Sequence, residues 1–163
     1  MDDGREESTN TVRFLKTNSG KKGQGMPVVR NPQFYFREGF CWIDVNSTYL
    51  KARLKGVGVF DVLSMSLFTQ TQIPDSYFVA IINSELISLY VDNFVNNTSH
   101  FQINDARQLP IVYPSNETLA KLVCIVNNAC SVKARTQGNL EIENLNSIQR
   151  SVDEYIRTLY QID

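Results

Sequence analysis

One histidine, His100, and one tryptophan, Trp42, stand among 163 residues. A lone histidine excludes a histidine metal cluster and makes any Ser/His/Asp triad depend on a single loop residue. The three cysteines, Cys41, Cys124 and Cys130, are odd in number and lack metal-ligand spacing. They read as free thiols of a reducing, cytoplasmic compartment. No apolar run approaches the roughly 20 residues that a membrane span needs, so no membrane partner is expected. The opening MDDGREESTN is acidic and polar, unlike a secretory signal. Without such routing, the Asn-x-Ser/Thr matches at Asn46, Asn96, Asn97 and Asn116 carry no weight. A phosphate-binding loop of the Walker type is absent, as is a strand followed by a glycine loop of the kind that binds S-adenosylmethionine.

What is present is ordinary globular material, 42% hydrophobic and 20% charged, enough for one domain or one domain with a helical appendage. The net charge of −1 hides a segregation. Residues 1–10 set Arg5 against four acidic groups, a net of −3. Residues 11–55 set nine basic residues against Glu38 and Asp44, a net of +7, and the remainder carries −5. A basic block on an otherwise neutral chain suits a phosphate-facing surface, and equally a domain that folds its charges back together.

Along the chain, residues 1–25 read as a flexible or extended lead, with a strand at 11–16 and a loop at 17–25 centred on Lys21 and Lys22. Residues 26–114 read as a core. An extended piece, a turn at 37–39 and a strand over 40–45 put Phe40 and Trp42, with Asp44 in the same register, on one face, and Cys41, Ile43 and Val45 on the other. Aromatics beside arginines can stack bases, but core packing is the plainer reading of this cluster. Residues 46–48 form a turn or cap. Residues 49–54 fit strand or helix; as a strand they set Lys51, Arg53 and Lys55 opposite Leu50, Ala52 and Leu54. Residues 59–68 return as a strand pair or as loop then strand, and 69–74 form a loop.

Asp75 is the natural N-cap of a helix over 77–82. A second helical segment, 84–96, carries Leu86, Leu89, Tyr90 and Phe94 as its apolar stripe. Asn83-Ser84 either caps that segment or sits within one continuous helix. A loop at 96–100, a short strand at 101–103 and a strand at 109–113 ended by Pro114 follow. Residues 115–163 read as a helical hairpin, helices at 117–135 and 140–160 broken at Gly138. The expectation is therefore an α+β fold: a small, mostly antiparallel sheet from the segments around 11–16, 40–45, 50–68 and 101–113, with packed helices and a C-terminal helical hairpin.

Asn31-Pro32-Gln33-Phe34 resembles the Asn-Pro-Pro-aromatic loop with which amino-methylating DNA methyltransferases hold a flipped base. Gln33 breaks the second proline, and no cofactor loop precedes it, so the loop is rejected as catalytic. The order of segments is more telling. Gly39-Phe40-Cys41-Trp42 is followed by Ala52-Arg53-Leu54, by a Tyr77-Phe78-hydrophobic run into Ile82-Asn83-Ser84-Glu85-Leu86, then by Ile103-Asn104-Asp105 and Leu109-Pro110-Ile111 to Pro114, then by a helix. Over roughly residues 26–160 this resembles the C-terminal specificity, or target-recognition, domain of type II restriction-modification adenine-specific DNA methyltransferases, the TaqI-like domains among them. It is also similar to the recognition half-domains of type I specificity subunits. The family has a lysine after its Asn-Ser pair, whereas Glu85 stands here.

The resemblance implies sequence-specific recognition of double-stranded DNA by a chain that is non-catalytic alone. The methyltransferase domain or subunit, with its S-adenosylmethionine, would belong to the parent protein, with or without a restriction endonuclease activity. Phosphate contacts would come from Lys16, Lys21, Lys22, Arg30, Arg37, Lys51, Arg53 and Lys55. Base contacts would come from Asn18, Ser19, Gln24, Gln70, Gln72, Asn97 and His100, among which the sequence does not choose. Two rival readings are an interaction module docking a partner through its C-terminal helices and, behind it, a small hydrolase.

Overall fold

The computed structural model describes residues 31–45, 49–60, 64–135 and 142–162, with the side chains of the last helix from residue 145 onward. The strand expected at 11–16, the loop at 17–25, the turn at 46–48 and the break at Gly138 lie outside the described residues. The chain divides into two compact units. The described part of the first is 31–37 with Val57–Val59. There Pro32–Phe34 forms a single 3-10 turn preceded by Asn31 at φ 51°, a left-handed conformation that asparagine tolerates. Phe36, at φ 58°, has no such excuse: its backbone is strained and its N–H donates to Gly58 O at 2.9 Å.

The second unit holds the α+β fold. Among the described residues its sheet has three antiparallel strands in the order β2-β1-β3: β1 Gly39–Ile43, β2 Ala52–Lys55 and β3 Ser64–Leu67. Trp42 lies opposite Ala52 and Met65, and Phe40 opposite Leu54 and Leu67. These residues form the inner face, where Phe40, Trp42 and Ala52 are buried, as their alternation in the sequence predicts. The ambiguous segment 49–54 is thus strand from Ala52, and among the described residues of 59–68 one strand is formed. Gly39 is required where it stands, because a Cβ there would fall 2.4 Å from Leu67 O.

Over the inner face lies α1, Asp75–Ile82, with Tyr77 and Val79 to Ile82 all buried. A helix buried on nearly every side must be wrapped, and α1 is: β1 and β2 pack on it from one direction and the helix Asn116–Arg135 from another. Phe40 stacks on Phe78 at 5.6 Å. Asp75 is not its N-cap. Pro74 takes that position without a side-chain bond, and Asp75 sits in the first turn, where its charge still suits the helix dipole.

The chain then bends by 59° into α2, Glu85–Tyr90. Asn83-Ser84 is the bend and caps the second helix. Ser84 Oγ donates to Ile81 O at 2.7 Å and accepts from Ile87 N at 3.3 Å, closing one helix and opening the next. A π-helical stretch, Val91–Val95, continues α2, with Asn96 N–H reaching back five residues to Val91 O. The expected stripe is not the buried one. Leu89 and Phe94 are 50% and 77% exposed, whereas Ser84, Ile87, Ser88 and Val91 are buried. That set also has helical spacing, but two of its members are serines.

Two expected strands are absent. Phe101 is buried and His100 bridges to Val45, but residues 103–106 form a short helix, α3, Ile103–Ala106, whose Asp105 side chain accepts from Gln102 N. Residues 109–113 have no strand partner among the described residues. Pro110 and Pro114 supply no N–H, and the carbonyls of Pro110 and Val112 accept hydrogen bonds from the Tyr160 and Tyr77 hydroxyls instead of from a ladder.

The last two helices are α4, Asn116–Arg135, and α5, Ile142–Tyr160. Lys121, early in α4, lies over the ring of Tyr155, late in α5, so the two run antiparallel. Leu122, Val126, Val152 and Ile156 are buried in the same core as Phe40, Trp42 and Ile81. Among the described residues no single helix is long and apolar enough to cross a membrane. The bent pair that α1 and α2 form has suitable composition because α1 is a core helix.

Candidate nucleic-acid interface

Antiparallel pairing sends the backbone of Ala52 away from β1, toward the open edge of the sheet. Asn83 fills that edge. Its Oδ1 accepts the Ala52 N–H at 2.6 Å and its Nδ2 donates to Ala52 O at 2.9 Å. One turn further on, Ser88 Oγ accepts from Leu50 N at 3.3 Å. From below, Gln149 Nε2 on α5 donates to Asn83 O, and Asp153 accepts the first N–H of α2, that of Glu85, at 2.8 Å. Glu85 itself pairs with Arg157 at 2.9 Å. Glu85 is thus committed to α5. The sheet edge, the helix bend and the last helix are tied at one point.

With β2 fixed in this way, its other face carries the cations. Arg53 and Lys55 alternate with Ala52 and Leu54, which lie opposite Trp42 and Phe40, and Lys51 stands one residue before the strand. Lys51 and Arg53 are exposed and Lys55 half-buried. Arg53 Nε donates to the buried Cys41 thiol at 3.4 Å, which lays the guanidinium along the sheet. Lys55 Nζ donates to Gly56 O and sits 5.5 Å from the Phe68 ring. Arg37 belongs to the small unit, its guanidinium 5.5 Å from the Phe34 ring. Lys16, Lys21, Lys22, Arg30, Asn18, Ser19 and Gln24 lie outside the described residues.

The remaining polar candidates fall into two groups. Gln70 and Gln72 follow β3, whose Leu67 lies opposite Phe40, so their loop leaves the sheet at the Gly39 end of β1. Asn97 and His100 stand at the opposite end, where His100 bridges Val45. A five-residue strand separates the two ends by roughly 17 Å. All four side chains are exposed.

The loop at the Val45 end is tightly held. Trp42 Nε1 donates to Phe101 O at 2.9 Å and Phe101 N donates to Asp44 O at 2.8 Å. Asn96 Nδ2 donates to His100 O and to Asp105 Oδ2, and Asn96 Oδ1 accepts from the amide and hydroxyl of Thr98. His100 Nδ1 lies 3.0 Å from Asp44 Oδ2. Asp44, the partner of the His100 ring, is a residue that the sequence reading did not select; a carboxylate at the end of a strand, 56 positions from its histidine, gives no local signal.

The Asn31 near-motif is spent on its own turn. Asn31 O accepts from Phe34 N and Pro32 O from Tyr35 N, at 3.0 and 3.2 Å. Among the described residues no three His, Cys, Asp or Glu side chains are placed to hold a metal ion. A scan against models of known protein families and a search of curated proteins each found no match.

Proposed function

We propose that this chain is the sequence-specific, double-stranded-DNA recognition domain of a cytoplasmic restriction-modification adenine methyltransferase, and that it performs no chemistry alone. The observation that carries the reading joins the resemblance to the fold. The segments whose order resembles the family are the ones that bond to one another: Trp42 opposite Ala52, the Ala52 peptide on Asn83, and the Val112 carbonyl on the Tyr77 hydroxyl. They build a scaffold that offers a cationic strand face and, at the Val45 end, a braced polar loop. Cations that neutralise phosphates and side chains that reach base edges are the two requirements of duplex recognition.

The rival docking role for the C-terminal helices loses its main support, because Leu122, Val126, Val152 and Ile156 are spent on the internal core. In the parent protein, S-adenosylmethionine and the methyltransferase chemistry would belong to a separate domain or subunit. Calorimetry of this chain tests the proposal. Heat of binding with duplex DNA and none with S-adenosylmethionine at micromolar concentration is the expected pair of results. Cofactor binding at that concentration would overturn the non-catalytic assignment, and absence of duplex binding at low salt would overturn the DNA assignment.

A further inference from the structure

We infer that the 97–100 loop is the base-reading element, and that His100 Nε2 accepts a hydrogen bond from an exocyclic base amine, adenine N6 or cytosine N4, in the major groove. This rests on the DNA-recognition reading above and narrows it from seven polar candidates to one loop.

Three observations point the same way. First, the Asp44 carboxylate only accepts, so His100 Nδ1 must hold the proton between them. In the neutral form of the ring the lone pair is then on Nε2, which has no partner among the described residues. The side chain is 54% exposed. A fixed acceptor turned to solvent selects for a donor, and in the major groove the base donors are the exocyclic amines of adenine and cytosine.

Second, the loop is built before any partner arrives. The Asn96 and Thr98 side chains hold its turn, and Phe101 anchors its exit on Trp42 and Asp44. Ordering it on binding therefore costs little. The loop carrying Gln70 and Gln72 is braced, among its described contacts, by the Thr71 hydroxyl accepting from Ile73 N at 3.3 Å. Third, the register puts Lys51 at the His100 end of the sheet, where a phosphate contact would set the loop's depth in the groove.

The experiment selects binding sites from a randomised duplex library with the full chain, as wild type, His100→Ala, Asp44→Asn and the double variant Gln70→Ala/Gln72→Ala. The enriched site is then resynthesised with the amine deleted at each adenine (purine in its place) or cytosine (2-pyrimidinone). At one position, deletion should weaken wild-type binding by roughly three- to tenfold. The same deletion should cost His100→Ala nothing further. Whether that position is adenine or cytosine identifies the source of the amine.

Asp44→Asn keeps the backbone bond to Phe101 and permits the other tautomer, with the proton on Nε2. It should shift preference at that position toward guanine, whose edge accepts. This arm keeps the test decisive should His100→Ala disturb the loop. The double glutamine variant should select the wild-type motif. The inference is overturned if His100→Ala and Asp44→Asn keep the wild-type motif and amine penalty, or if the glutamine substitutions move the motif instead. A wild-type chain that binds duplex yet enriches no motif overturns it as well. A chain that binds no duplex fails at the earlier step, and the two failures are told apart by the direct binding measurement.

Discussion

The Asn83 carboxamide and the Ala52 peptide bond to each other twice, at 2.6 and 2.9 Å. A carboxamide offers the same donor and acceptor as a peptide unit, so Asn83 occupies the place of a neighbouring strand and closes the edge of β2. Asn83→Ala should leave both Ala52 groups without their partner and cost about 1–3 kcal/mol. Asn83→Asp should cost at least as much, since it turns an acceptor toward the Ala52 carbonyl. Urea denaturation measures both; a midpoint unchanged in either variant would mean that water replaces the carboxamide.

The buried stripe of α2 makes a second, contrasting pair of variants. Ile87→Ala should cost about 2–5 kcal/mol, because the side chain is fully buried and leaves a cavity. Leu89→Ser should stay within about 0.5 kcal/mol of wild type, since Leu89 is half exposed. The reverse order of thermal midpoints would restore the stripe that apolar spacing suggests.

Alkaline pH should loosen the 109–113 segment. Burial raises Tyr77 above the ordinary phenol value, and the neighbouring Tyr160 adds to the shift. Burial also raises Tyr160, against an opposing backbone bond from Val112. A raised pKa in the folded state means that the fold favours the neutral phenols. Their contribution is complete below the unfolded value of about 10 and is lost as pH climbs toward the higher folded values. Thermal midpoints measured from pH 8 to 11 should fall above about 10, and Tyr77→Phe should flatten that fall while lowering the plateau. A plateau that runs flat to pH 11 would contradict the sign.

The strands and helices with plain periodicity were legible from the sequence: Phe40 and Trp42 inward on β1, Leu122 and Val126 on α4, Val152 and Ile156 on α5. Three kinds of residue misled it. Ser84 and Ser88 are polar yet buried, because backbone groups nearby and far along the sequence satisfy their hydroxyls, so the true stripe of α2 read as broken. Residues 109–113 look like a strand by composition, but their carbonyls pair with tyrosine hydroxyls contributed by distant helices. His100 was legible as a candidate and Asp44 was not, because their pairing follows from the Val45 bridge and from nothing local. The cationic face of β2 was readable once residues 52–55 were taken as strand.

The salt dependence of duplex binding tests the central claim most directly. Lys51, Arg53 and Lys55 recur on alternate residues, about 6.5–7 Å apart along the strand, comparable to successive phosphates on one DNA strand. Three phosphate contacts contribute about −2.7 to the slope of log K against log salt, at ~0.9 each. Wild type and the triple variant Lys51→Ala/Arg53→Ala/Lys55→Ala are titrated with duplex from low to moderate salt, with folding checked by thermal melt. The account predicts a slope flattened by about 2.7 in the variant, weaker binding to every duplex, and an unchanged base preference. An unchanged slope in a folded variant would mean that this face of β2 does not meet the duplex, contradicting the account.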